Sequence, residues 1–212
     1  MKYFIGVFFT VCTLVSAGPI DAQARLTPEQ VVQFRQAALA ARQNNYVLAV
    51  DIYETLAELD LVDAQYNLAF LFESGLGRPQ NFKVALYWAW LAQLGGEERA
   101  ITLAETLNEN VTEGVAKDVI GLLTARLTKQ IENGRKDAIL KLANLYFSIL
   151  PEPDYINAYI WFAIGQAVGL PDAAQGGMAA RKELDAEKLV EAQASASAMF
   201  DKLDYLSKAA KN

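Results

Sequence analysis

The sequence predicts an all-α protein, an α/α solenoid of stacked helical hairpins, and three observations lead to this prediction. The chain repeats itself, because Trp88 and Trp161 lie 73 positions apart and Ala85 recurs as Ala158 at the same offset. Small and aromatic residues recur together, as they do where each hairpin buries its apolar face on the next. No alternating strand pattern is found after residue 24.

Twelve repeated positions are expected to form the core of the two copies. The alanine, leucine and aromatic positions of the first helix recur at an offset of 74, and those of the second helix recur at 73. The loop between them is therefore one residue shorter in the second copy. The twelve residues are Ala64, Leu68, Ala69, Phe72, Ala85 and Trp88 in the first copy and Ala138, Leu142, Ala143, Tyr146, Ala158 and Trp161 in the second.

Trp90 has no aromatic counterpart, since Ala163 takes its place in the second copy. It lies about 200° around the helix from Trp88. An exposed anchor for a partner is one interpretation, but a solenoid helix is packed on more than one side, which favours the core.

The N-terminus has the three parts of a secretory signal. Lys2 supplies the charge, residues 3–17 form an apolar run, and Ala22 and Ala24 supply the small residues before a cleavage site. We expect a signal peptide over residues 1–24, with cleavage after Ala17 as the alternative. An uncleaved anchor is disfavoured, because the 15-residue run is shorter than the ~20 residues that a spanning helix needs.

Composition excludes several kinds of chemistry. Cys12 is the single cysteine and lies in the signal, and the chain has no histidine. Disulfides, zinc sites and Ser-His or Cys-His nucleophiles are therefore excluded, and we expect no metal and no cofactor. The formal charge of −6 disfavours nucleic acid, which needs a basic surface.

Helix start and stop signals divide the mature chain, residues 25–212, into hairpins. Thr27-Pro28-Glu29-Gln30 begins the first helix with a capping pattern, and Asn44-Asn45 ends it. Glycines close later helices, whereas Pro151 and Pro153 replace the loop glycines of the second copy, so that hairpin must turn differently. The predicted hairpins lie near 28–60, 62–95, 98–131, 136–168 and 172–209, and the last helix caps the stack.

Thr112 and Asp185 occupy equivalent positions and are both expected to be helix N-caps. Asn110-Val111-Thr112 also matches the pattern for N-glycosylation, a pattern of low specificity. The cap explains the threonine without a sugar.

Residues 62–100 resemble a Sel1-like repeat, a relative of the tetratricopeptide repeat with a longer hairpin loop. The stretch from Asp63 to Gly77 carries this resemblance, together with Asn81, Ala85, Trp88, Ala92 and Gly95. A weaker match covers 136–173, and residues 30–60 resemble a plain tetratricopeptide hairpin. The resemblance implies a scaffold for protein or peptide contacts, often in bacterial envelopes or secretory pathways. The chain lacks the paired cysteines of some secreted relatives, so the activities of that branch are not carried over.

The resemblance also nominates binding residues, because the first helix of each hairpin lines the concave face in related repeats. Counting from Ala69 and Ala143 gives Asn67, Phe70 and Glu73 in the first copy and Lys141, Asn144 and Phe147 in the second. Asn side chains can pair with a peptide backbone, and Lys141 can meet a carboxylate. The alternative for each is an ordinary solvated helix face or, for phenylalanine, packing.

A glycosidase could work without histidine or cysteine by using two carboxylates. The close groupings are Glu97-Glu98, Glu105-Glu109 and Glu152-Asp154, and each lies in a polar stretch typical of solvated charge.

The sequence therefore favours an exported, non-enzymatic scaffold, periplasmic or secreted, that binds a protein or peptide on its concave face. The alternatives are a cell-envelope accessory factor or glycan hydrolase acting through carboxylates, and a membrane-tethered assembly factor with an uncleaved signal.

Overall fold

The structure is a computed structural model that describes residues 27–203, and within this range it contains ten α-helices and no strand. The predicted all-α helical-repeat class is confirmed. The predicted signal, residues 1–24, and the last part of the predicted capping helix lie outside the described residues. The helices are α1 (Pro28–Arg42), α2 (Tyr46–Glu58), α3 (Val62–Ser74), α4 (Phe82–Leu94), α5 (Arg99–Glu109), α6 (Glu113–Glu132), α7 (Asp137–Asn144), α8 (Tyr155–Ala167), α9 (Ala173–Lys182) and α10 (Ala186–Lys202).

The repeating unit is a module of four helices rather than a simple hairpin. Helices α1 to α5 each pack on the next, but α6 packs mainly on α4 and α7, and α10 packs mainly on α8. Helix α6 has 20 residues, and its buried stripe lies against these neighbours instead of α5. The hairpins predicted near 98–131 and 172–209 are therefore not formed within the described residues, because α6 and α10 pack mainly on helices other than α5 and α9. We call residues 62–132 module one and residues 137–202 module two.

The repeated positions form the core. Ten of the twelve are buried, whereas Phe72 and Tyr146 are partly buried and pack against the core. The indoles of Trp88, Trp90 and Trp161 are only 4%, 5% and 7% exposed. Trp90 thus lies in the core, as favoured above.

The helix N-caps of module one align with those of module two at a single sequence offset. Asn81 and Asp154 each accept a hydrogen bond from the backbone three residues later, at 3.1 Å and 3.0 Å. Thr112 Oγ1 accepts from Val115 N at 3.4 Å, and Asp185 Oδ1 accepts from Lys188 N at 2.8 Å. Each pair is 73 positions apart, so α4 matches α8 and α6 matches α10 residue by residue.

The loops inside the two modules differ in length, but each is closed by a backbone hydrogen bond at an equivalent position. Asn81 N–H donates to the Phe72 carbonyl at 3.0 Å, and Asp154 N–H donates to the Tyr146 carbonyl at 2.9 Å. In module one, Gly75 ends α3 in the left-handed conformation. In module two, α7 continues as a π-helical turn over Leu145–Ile149, and Pro151 follows, so the predicted change of turn is present.

The loop of module one lies directly on the start of α2. Gly77 has φ +78°, and a Cβ at this position would overlap the carbonyl oxygen of Tyr46. Glycine is required there both for its backbone conformation and for this close approach.

A buried carboxylate joins α2, α6 and the start of module two. Asp60 follows α2 in the left-handed conformation, with φ 63°, and its side chain is only 4% exposed. It accepts from Arg126 Nη2 at 3.2 Å, from Gln130 Nε2 at 2.7 Å and from Arg135 Nη1 at 2.7 Å. We call Asp60 with these three donors the Asp60 clasp.

Arg126 extends the clasp across the surface of α4. Its Nη1 lies 2.6 Å from a carboxylate oxygen of Glu58 and 3.4 Å from the hydroxyl of Tyr87. Its guanidinium also lies 5.7 Å from the ring centre of Trp88, within the range of a cation–π contact. One side chain of α6 thereby holds the end of α2 and the middle of α4.

The equivalence of Trp88 and Trp161 leads to a stability prediction. Replacing either with alanine is expected to lower the free energy of unfolding by about 3 to 5 kcal/mol, because a large buried side chain leaves a cavity. The midpoint of chemical denaturation measures this loss, with Leu122→Ala, an exposed position, as the control. Midpoints equal to that of the parent for both tryptophan variants would contradict the shared core position.

The Asp60 clasp leads to a second prediction. Asp60→Ala removes the carboxylate and leaves Arg126 and Arg135 facing one another, so we expect unfolding to become easier by about 3 kcal/mol. Asp60→Asn keeps a residue that tolerates the left-handed conformation and isolates the effect of the charge. The control is Asp63→Ala, which removes an exposed ion pair with Arg99 and should cost less than about 1 kcal/mol. Equal losses for Asp60→Ala and Asp63→Ala would show that the clasp contributes no more than a surface pair.

Candidate partner-binding site

The predicted binding residues of α3 lie along one stripe of that helix. Leu68, Ala69 and Leu71 face the core, and this turns Phe70 outward, with 48% of the residue exposed. Asn67 and Glu73, three residues before and after Phe70, are half-buried on either side of it. An exposed aromatic ring can serve as a contact point for a partner, since aromatic residues are enriched at protein interfaces.

The Asn67 amide is partly engaged by its own helix. Its Nδ2 donates to the backbone carbonyl of Asp63 at 2.7 Å. Glu73 accepts from the hydroxyl of Ser74 at 2.9 Å, and its backbone carbonyl accepts from the side chain of Gln80. These local bonds fix the orientation of the polar groups beside Phe70.

The predicted residues of α7 differ in chemistry from those of α3. Lys141 has a side chain only 12% exposed, and its Nζ lies 3.4 Å from a carboxylate oxygen of Asp137. Asn144 is half-buried where α7 passes into the π-helical turn. Phe147 packs edge-on against Tyr155 and Phe162, at 5.8 Å and 6.1 Å between ring centres. The second set therefore presents no exposed aromatic ring, and it belongs to a different module from the first.

A groove between α4 and α6 was not predicted. Val84, Tyr87 and Leu122 line it together with Lys83, and its volume is about 250 Å³. Lys83 Nζ lies 2.9 Å from Asp118 Oδ2 across one end. Burial raises the pKa of the Tyr87 hydroxyl above its ordinary value, although the nearby Arg126 opposes this rise. Sequence reasoning missed the groove because it paired α6 with α5.

A second groove lies between α8 and α10, with a volume of about 360 Å³. The hydroxyl of Tyr159 accepts from Gln193 Nε2 at 3.4 Å at one end. The only available sequence signal was the alanine at position 163, which stands where module one has Trp90.

The carboxylates considered for glycan chemistry have structural roles or lie in solvent. Hydrogen bonding from Arg99 lowers the pKa of Glu97 to about 2, whereas a general acid needs a raised pKa. The guanidinium of Arg99 also lies 4.4 Å from the ring centre of Tyr66. Asp154 caps α8, and Glu105 and Glu109 are exposed.

Residues 27–203 contain no group of three or more acidic residues arranged to hold a metal ion. No helix between residues 27 and 203 combines the length and apolar composition needed to cross a membrane.

One solved structure is similar to this chain, described as the crystal structure of c5321, a protective antigen present in uropathogenic Escherichia coli strains displaying an SLR fold. The two are 19% identical, with a TM-score of 0.38, and the match covers 86% of this chain and 47% of that one. This chain thus spans about half the length of the structure that it matches. No family model and no curated protein matches the chain.

Proposed function

We propose that this protein is an exported, non-enzymatic scaffold that binds a protein or peptide partner through the outward stripe of α3. The observation that supports this proposal is the 48% exposure of Phe70 on a helix whose neighbouring apolar residues are buried. A rigid helical-repeat framework suits such a role, since it presents an extended surface without further folding.

The chemistry of the stripe suggests how a partner is held. Phe70 offers apolar area at about 25 cal/mol per Å² removed from water. Asn67 and Glu73 flank the ring with an amide and a carboxylate, groups that can meet backbone or basic groups of a partner. Lys141 and Asn144 contribute less, because Lys141 is largely buried and paired with Asp137.

Binding at α3 is tested with a partner first isolated by affinity capture on the mature protein. Phe70→Ala is expected to weaken the measured affinity at least tenfold, because truncated aromatic anchors typically cost more than about 1.4 kcal/mol. The triple variant Asn67→Ala, Lys141→Ala, Asn144→Ala should weaken it by a smaller factor. Leu122→Ala is the matched control, since Leu122 is similarly exposed, at 53%, on α6.

Helical content and melting temperature establish that each variant is folded. If Phe70→Ala binds as the parent does while Leu122→Ala does not, the contact surface is the α4–α6 groove and the proposal for α3 is wrong.

Export is proposed from the N-terminal residues alone. The expected product of secretion begins at Arg25, and intact-mass measurement of the exported protein decides between this start and one after Ala17. Recovery of the uncleaved chain from a membrane fraction would favour a tethered assembly factor instead.

A further inference from the structure

The α8–α10 groove is the larger of the two grooves and runs between helices whose residue numbers increase in the same direction. Tyr159 faces Gln193 at one end, and Ala167 lies with Phe200 and Asp201 at the other. Ala163, Ile164, Ala196 and Ser197 line the middle. The volume of about 360 Å³ falls within the range of ligand-binding clefts.

Module one carries larger side chains at three positions that align with the lining of this groove. The helix caps align the modules at an offset of 73, so Ala163, Ala167 and Ala196 correspond to Trp90, Leu94 and Leu123. Trp90 is 5% exposed and Leu123 is fully buried. At these three positions module two carries methyl groups where module one carries an indole and two isobutyl groups, whereas at two other lining positions Tyr159 and Phe200 stand where module one has Leu86 and Leu127. The alanines therefore leave room in the middle of the groove for an apolar group larger than a methyl.

We propose that this groove binds a peptide segment of a partner. The segment inserts an aromatic side chain into the groove and carries a lysine or arginine next to it in sequence. The aromatic group follows from the indole that occupies the equivalent position in module one. The basic neighbour follows from Asp201, an exposed carboxylate at the end of the groove, and from the net charge of −6. Steering by such charge favours a cationic segment over an anionic one. The site is separate from the α3 stripe and does not depend on it.

Small indoles provide the first probes, because they differ in charge but share the ring. Tryptamine, a cation, is expected to shift the amide NMR signals of Ala163, Gln193 and Phe200 at lower concentration than indole-3-acetate, an anion. Asp201→Asn should reduce this difference at low salt, since it removes the carboxylate at the groove end. A peptide containing Trp-Lys should bind more tightly than tryptamine, and the same peptide with Ala-Lys should not bind.

Filling the groove from within tests its location. Ala163→Trp restores the residue of module one and is expected to weaken binding of the Trp-Lys peptide at least tenfold while the melting temperature is kept or raised. Ala167→Leu is the smaller filling variant and serves if Ala163→Trp does not fold. Ala198→Trp, which adds an indole at an exposed position of α10, is the matched control and should bind as the parent does.

Three outcomes would overturn the proposal. Unchanged peptide binding by both filling variants would place the peptide elsewhere. Equal NMR shifts with tryptamine and indole-3-acetate would show that the groove does not prefer a cation, and would contradict the lysine or arginine beside the aromatic side chain. Binding that appears only after deletion of residues 204–212 would identify the chain's own C-terminus as the occupant. Failure of Phe70→Ala to weaken capture leaves this test unaffected, because Phe70 lies on α3.

Discussion

The described helices depend on one buried carboxylate, that of Asp60. It follows α2, and three of its hydrogen-bond donors come from α6 and from the connection to module two, 66 to 75 positions later, while Gln65 Nε2 of α3 donates at 3.5 Å. Burial of a charge is costly, and the donors around this carboxylate, two of them arginines, offset that cost. The clasp fixes the position of α6, because Arg126 can contact Asp60, Glu58 and Tyr87 together only when α6 lies along α4. The choice of α4 over α5 as the partner of α6 is consistent with this constraint.

The sequence predicts the helices well because their ends are local events. A threonine before proline, an asparagine or aspartate cap and a left-handed glycine each act within a few residues, and Thr27, Asn81 and Gly75 perform these roles in the structure. The clasp could not be predicted, because nothing in the spacing of Asp60 and Arg126 marks them as partners. The packing of α6 was missed for the same reason. At the candidate site, the outward position of Phe70 follows from helical periodicity, but the pairing of Lys141 with Asp137 reduces what the sequence had assigned to Lys141.

The two modules share a backbone plan and differ in surface. Their caps and buried tryptophans coincide, whereas Phe70 corresponds to a half-buried Asn144 and Trp90 to Ala163. Repetition thus provides the framework, and departures from repetition provide the places where the copies can act differently. The differences at these two positions lie in side-chain size, apolar area and polarity.

In each module, one backbone hydrogen bond closes the loop where it meets the two flanking helices. The length of the loop therefore need not affect how those helices pack. With the bonds from Asn81 to Phe72 and from Asp154 to Tyr146 in place, residues between them can be gained or lost without moving the flanking helices. The one-residue difference between the copies is an instance of such a change. The loop of module one is more constrained, because Gly77 lies against the start of α2, whereas residues 151–153 of module two are exposed. That turn is therefore the natural point for evolution, or for an engineer, to insert an additional recognition segment.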